Sequence, residues 1–211
     1  MKKILDLGNI TNNLLAGFNL QNSAIDLTFK TGTLNSEKGL TQFIRYSNGK
    51  MEMSITIDKD WINSSNFVEL ANTIIHECFH AYIYGKIYDI NGSHSNILPE
   101  PDFDKDFKEY QRLYGGNNAQ HNYMAYEYLK FMKKALSDYF NDNANTDSRD
   151  KFLNYVSDMS AWKGTDKLFE SLAWSGLKTT QAWKDLGSDT TAIKEYNATF
   201  SSLLSKDKPC K

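Results

Sequence analysis

The hydrophobic period changes once along this chain, and that change limits what it can fold into. Over residues 24–30 (AIDLTFK), Ile25, Leu27 and Phe29 alternate with Asp26, Thr28 and Lys30. This is the period of two that lays one face of a strand on a core. Residues 41–46 (TQFIRY) and 51–57 (MEMSITI) flank Asn48-Gly49. Asn-Gly supplies the positive φ of a type I′ turn, so the pair reads as a hairpin with Met51, Met53, Ile55 and Ile57 on one face. The simplest expectation is an antiparallel sheet of about three strands. From residue 66 the period becomes helical. Asn66, with Glu69 three positions on, has the form of a capping box opening a helix predicted over 66–88. Phe67, Leu70, Ala71, Ile74, Ile75, Cys78, Phe79 and Tyr82 give this helix a broad apolar face, so it is expected to be central and largely buried. A loop follows at 89–101, with Gly92 and Pro99-Glu100-Pro101 as punctuation. Further helices are predicted at 102–114, 119–140, 148–162, 166–175, 179–186 and 190–204. Strands first and helices after is the order of an α+β domain. The chain is therefore read as one domain over 1–211, strand-rich at 20–60 and helical at 66–204.

Composition narrows the function classes. A chain of 211 residues with 40% hydrophobic and 24% charged residues can bury a sizeable core and is not compositionally disordered. Its 24 basic residues against 26 acidic ones, with arginine only at positions 45, 112 and 149, offer no electrostatic footprint for nucleic acid. No apolar run approaches the roughly 20 residues that span a bilayer. Met1-Lys2-Lys3 resembles a signal n-region, but Asp6, Gly8, Asn9, Asn12 and Asn13 interrupt the apolar core that should follow. The expectation is a cytoplasmic protein or the terminal domain of an exported one. Two cysteines cannot build a disulfide scaffold; Cys78 reads as a small buried hydrophobe, with a pairing to Cys210 left open. Asp102, Asp104 and Asp106 begin like a calcium loop, but Phe107 and Leu113 stand where Gly and Glu belong.

Histidine is the unusual residue. The four of them, His76, His80, His94 and His121, fall within one 46-residue stretch. His76-Glu77-Cys78-Phe79-His80 is an H-E-x-x-H inside the central helix. Spacing i, i+4 stacks two imidazoles on one helix face, where both can reach one zinc ion at about 2.0–2.1 Å. Glu77 is rotated by about 100° from His76, near the metal without being forced to ligate it. There it can take a proton from water that the metal acidifies. A charged residue in an otherwise apolar run also costs stability unless it is used. A third ligand is needed. The metzincin pattern would place Gly at 83 and His at 86, but the chain has Ile83 and Lys86. His121, near the start of an amphipathic helix and just after Gly115-Gly116-Asn117-Asn118, is the better candidate. Glu100, Glu109, Glu127 and the loop residue His94 are alternatives. Tyr123 and Tyr126 flank the start of the His121 helix; ordinary amphipathic packing is the favoured reading for them over a hydrogen bond to a developing oxyanion.

His80-Ala81-Tyr82-Ile83 after the pentad's start, His121-x-x-Met124-Ala125, and Leu172-Ala173-Trp174-Ser175-Gly176-Leu177-x-x-Thr180 resemble bacterial SprT-like zincin domains. The resemblance covers roughly residues 40–211. Such domains look like zinc metallopeptidases and often end large secreted or polymorphic-toxin-type proteins. The resemblance implies a zincin-like fold, with a small sheet on the H-E-x-x-H helix and a helical C-terminal part. It also implies zinc ligation by His76, His80 and His121, and Glu77 as general base. The chain lacks the cysteine zinc ribbon of SprT proper, so a DNA-associated role does not follow. Trp174 and its neighbours are expected to pack in the core. Pentad and resemblance together imply zinc-dependent hydrolysis of a peptide or protein substrate, with an edge of the 41–57 hairpin receiving substrate as an added strand. Two rivals share the features: a metal hydrolase of a non-peptide substrate, and a zinc-stabilised binding or effector module without turnover.

Overall fold

The computed structural model describes residues 25–47, 50–91, 112, 118–142, 145–158, 162–175 and 190–204. Strands β1 (Ile25–Gly32), β2 (Gly39–Ser47) and β3 (Lys50–Asp58) come first. Helices α1 (Lys59–Ser64), α2 (Phe67–Asn91), α3 (Asn118–Asn141), α4 (Thr146–Val156), α5 (Thr165–Ser175) and α6 (Thr190–Leu204) follow. The architecture is α+β. The described residues group into two compact units. The first holds 25–47, 50–62, 73–91 and Arg112; the second holds 63–72, 118–142, 145–158, 162–175 and 190–204. The helices predicted at 102–114 (apart from Arg112) and 179–186, the Asn48-Gly49 turn and most of the 89–101 loop lie outside the described residues.

In the first unit, β2 and β3 pair antiparallel with Ser47 opposite Lys50, as the hairpin reading expects. The expectation of a wholly antiparallel sheet is corrected. β1 runs parallel to β3, and the order across the sheet is β1-β3-β2, so the sheet is mixed. Alternation and turn chemistry are local signals, whereas strand order depends on which apolar faces align. Here Ile25, Leu27 and Phe29 pair in register with Met51, Met53 and Ile55, which puts the apolar residues of both strands on one face. Met51, Met53 and Ala81 of α2 form a buried cluster, against which Ile25, Leu27 and Phe43 pack. Near the middle of β2 the register slips between Phe43 and Arg45. Ile44 is the extra residue of this bulge, and it is 50% exposed.

Asp58, at the end of β3, ties the β1–β2 connection to α1. Its Oδ2 accepts the Leu34 N–H at 2.8 Å and its Oδ1 accepts the Trp61 N–H at 2.8 Å. The second bond is the N-cap of α1, a short helix that the sequence reading missed although an Asp stands at its start. The Asp58 N–H donates to the Lys38 carbonyl at 3.0 Å, and Lys38 Nζ lies 3.7 Å from the centre of the Trp61 ring. Trp61 Nε1–H in turn donates to Thr73 Oγ1 on α2 at 3.0 Å. The chain is thus fixed on both sides of the point where β2 begins. The Leu34 and Trp61 N–H groups hold the Asp58 carboxyl below the usual carboxylate range. A depressed folded value contributes stability above the unfolded pKa of about 3.9, and the contribution is lost as pH falls through the folded value. Asp58→Asn is expected to lower the urea midpoint at pH 7, since its NH₂ faces an N–H donor. The difference from wild type should shrink as denaturation is repeated at successively lower pH; a gap of constant size would show that the charge of Asp58 is immaterial.

In the second unit the capping box is complete. Asn66 Oδ1 accepts the N–H groups of Val68 at 3.0 Å and Glu69 at 2.9 Å, and Glu69 Oε2 accepts the Asn66 N–H at 3.2 Å. The unit's core is aromatic. Phe140 of α3 contacts Phe67, Phe152 of α4 and Phe169 of α5. Trp174 is buried, as expected of a core residue, and its Nε1–H donates to Tyr196 Oη of α6 at 3.1 Å. Helix α4 ends at Val156, earlier than the predicted 162. Ser157 closes it, its N–H bonded to the Leu153 carbonyl at 2.9 Å and its hydroxyl to the Asn154 carbonyl at 3.2 Å.

Candidate metal centre

Helix α2 carries His76 and His80 on consecutive turns, as the spacing requires, with Glu77 next to His76. The two imidazoles meet. Their Nε2 atoms stand 3.0 Å apart, with ring centroids 4.7 Å apart and planes at 82°. Two nitrogens held at about 2.05 Å from one tetrahedral zinc would be about 3.3 Å apart. The observed separation is close to that, so the pair fits a shared cation with a small adjustment. Both rings are poor bases. Burial brings His76 down to about 4, and burial together with the neighbouring His76 ring holds His80 well below the usual histidine range. At neutral pH both rings are therefore uncharged, which is the state that offers a lone pair to a metal.

Glu77 points at β2. Thr41 is fully buried, and its Oγ1 lies 2.9 Å from the Glu77 main-chain carbonyl oxygen and 2.8 Å from Glu77 Oε2. A hydroxyl has one proton, so it can donate to only one of these oxygens. Both contacts become hydrogen bonds when the carboxyl itself carries a proton and donates it to Oγ1. Burial raises the Glu77 carboxyl to about 7, against the opposing pull of the Thr41 hydroxyl and N–H. A carboxyl poised near neutrality is suited to taking and returning a proton at physiological pH. Gly39 leaves room on the other side: a Cβ there would lie 2.7 Å from Glu77 Cγ and 2.9 Å from its Oε1.

Cys78, between the two histidines in sequence, is a buried thiol with no disulfide partner among the described residues, raised by burial and by its Glu77 neighbour; Cys210 lies outside them. It is the small hydrophobe that the sequence reading expects. His121 lies in α3, near its start as predicted, and Glu127 lies on the same helix. The side chains of both are outside the described residues, as are His94, Glu100 and Glu109 altogether. Among the described residues, no three His, Cys, Asp or Glu side chains gather as a metal site. What is brought together is the two imidazoles, while the Glu77 carboxyl meets Thr41 and Gly39 of β2. Thr41 and Gly39 escape a sequence reading because they meet Glu77 from 36 or more residues away, and nothing in TQFIRY marks Thr41 from any other strand residue.

No family model, curated protein or solved structure matches the chain. No helix among the described residues is long and apolar enough to cross a membrane.

Proposed function

We propose that the chain is a zinc metallopeptidase of zincin-like type, similar to SprT-like domains, acting on a peptide or protein substrate. The observation that carries the reading is the pair of Nε2 atoms converging to 3.0 Å on the helix that also holds a buried carboxyl raised to about 7. His76 and His80 would hold the ion, with His121 as third ligand. A bound Zn²⁺ supplies a Lewis acid that polarises a carbonyl and makes water a nucleophile near neutral pH. The rest falls to the protein. His76 and His80 bind through neutral nitrogens, so no proton has to be displaced at pH 7. Glu77 accepts the proton of the attacking water and hands it to the leaving amine, a task that needs a carboxyl able to change protonation state near pH 7. The low-dielectric surroundings that raise its pKa also exclude competing water around it.

Purified protein is expected to cleave a mixed peptide library, to stop with 1,10-phenanthroline, and to resume on adding zinc. It should bind one zinc per chain. His76→Ala and His80→Ala should each weaken zinc binding by more than about 100-fold, the upper end of what loss of a merely supporting partner costs. His121→Ala decides the third ligand. A loss of the same size assigns it, whereas unchanged affinity moves the assignment to Glu100 or Glu127. Cleavage that survives chelation would end the metallopeptidase reading.

A further inference from the structure

We infer that the first residues of β2 form a seat for the Glu77 carboxyl, with Thr41 as a positioning residue for its proton transfer and Gly39 as the space that its side chain fills. The inference rests on the peptidase reading and deepens it. A glutamate side chain has three rotatable bonds, and burial does not by itself choose among its rotamers. Thr41 does choose. Its one hydroxyl reaches both the main-chain carbonyl and the carboxyl of Glu77, which ties the carboxyl to the helix backbone that also carries His76 and His80. Gly39 leaves the room that this rotamer fills, because a Cβ built there would meet Cγ, Oε1 and Cδ of Glu77 at 2.7, 2.9 and 3.0 Å. The seat is itself fixed, since the Asp58–Leu34 and Asp58–Lys38 bonds hold the segment that leads into Gly39. Misplacing a catalytic group by about 1 Å can cost on the order of 10²-fold in rate, so this seat sets the efficiency of Glu77 without touching substrate.

Three variants of the full chain test it: Thr41→Val, which keeps the shape without the hydroxyl; Thr41→Ser, which restores the hydroxyl; and Gly39→Ala. In metal-free protein labelled at the glutamate carboxyl carbon, the resonance missing from Glu77→Gln is that of Glu77. At one fixed pH it is expected to move in Thr41→Val and Gly39→Ala, and to stay in place in Thr41→Ser. With zinc and a fluorogenic peptide library, Thr41→Val and Gly39→Ala should lose about tenfold or more in kcat, with KM and zinc affinity within about twofold; Thr41→Ser should recover most of the loss. An unmoved resonance in Thr41→Val, or a Thr41→Ser protein as impaired as Thr41→Val, overturns the seat. A wild-type protein that cleaves nothing overturns the peptidase reading and the kinetic role of Thr41 with it, while a displaced resonance would still support the seat as the holder of Glu77.

Discussion

Glu77→Gln is expected to keep zinc and lose turnover by about 10²–10⁴-fold, the contribution of a positioned general base. Glutamine suits the test because it mimics the protonated carboxyl. Its carbonyl oxygen can accept the Thr41 hydroxyl proton, or its NH₂ can donate to Thr41 Oγ1, so the contacts at 2.8 and 2.9 Å survive and the fold is kept. What disappears is the ability to take a proton. Equal turnover in the two proteins would remove Glu77 from the chemistry. The same pair of proteins also has a signature without metal. The folded Glu77 value is raised, from an unfolded value near 4.5 to about 7, so between these limits the native state binds more protons than the unfolded chain. Its favourable contribution is fully present below the unfolded value and is lost as pH rises through the folded one. Wild type should thus lose stability relative to Glu77→Gln between about pH 4.5 and pH 8, by on the order of 3 kcal/mol. His76 and His80 titrate with the opposite sign in part of this range, but they are common to both proteins and cancel in the comparison. Parallel unfolding curves at every pH would mean that Glu77 ionises without hindrance.

Phe140→Ala is expected to destabilise the second unit by about 3–5 kcal/mol, measured by urea denaturation of metal-free protein. Phe140 is 2% exposed and stands where α3 meets the start of α2, α4 and α5. Its ring stacks on Phe67 at 5.7 Å and 20°, and meets Phe152 at 5.9 Å and Phe169 at 5.4 Å edge to face. Truncation removes the buried ring and opens a cavity whose other walls are themselves rigid rings, which collapse poorly. Lys134→Ala on the same helix is the control. It breaks an exposed i, i+4 ion pair with Asp138 and should cost about 0.3–0.5 kcal/mol. A Phe140→Ala cost as small as the control's would show that the aromatic cluster is not what holds these helices together.

The parts legible in the sequence are those whose cause is local. Asn66 and Glu69 announce the start of α2 because a capping box needs only four neighbouring residues. The β2–β3 hairpin is legible because its pairing, Ser47 opposite Lys50, follows from a short turn between two alternating runs. The pentad is legible because helix geometry alone brings His76 and His80 together. The parallel placement of β1 is not, since Ile25, Leu27 and Phe29 would present the same apolar face to a neighbour in either direction. Nor is the bulge at Ile44, because one extra residue in a strand leaves the alternation on either side of it intact. The surroundings of Glu77 were legible only as a cost. A carboxylate in an apolar run must have a compensation, but the compensation, Thr41, comes from another element, and only the folded chain identifies it.

Because β3 lies between the two strands that precede it, the sheet cannot assemble in chain order. β2 finds β3 across a two-residue connection, whereas β1 must wait for β3 to arrive beyond residues 33–49. Loop-closure entropy ranks the two events, tight hairpin before parallel docking. During synthesis β1 therefore emerges before the strand it pairs with among the described residues, and its Ile25, Leu27 and Phe29 meet Met51, Met53 and Ile55 only once the segment Lys50–Asp58 has left the ribosome and folded back between its predecessors.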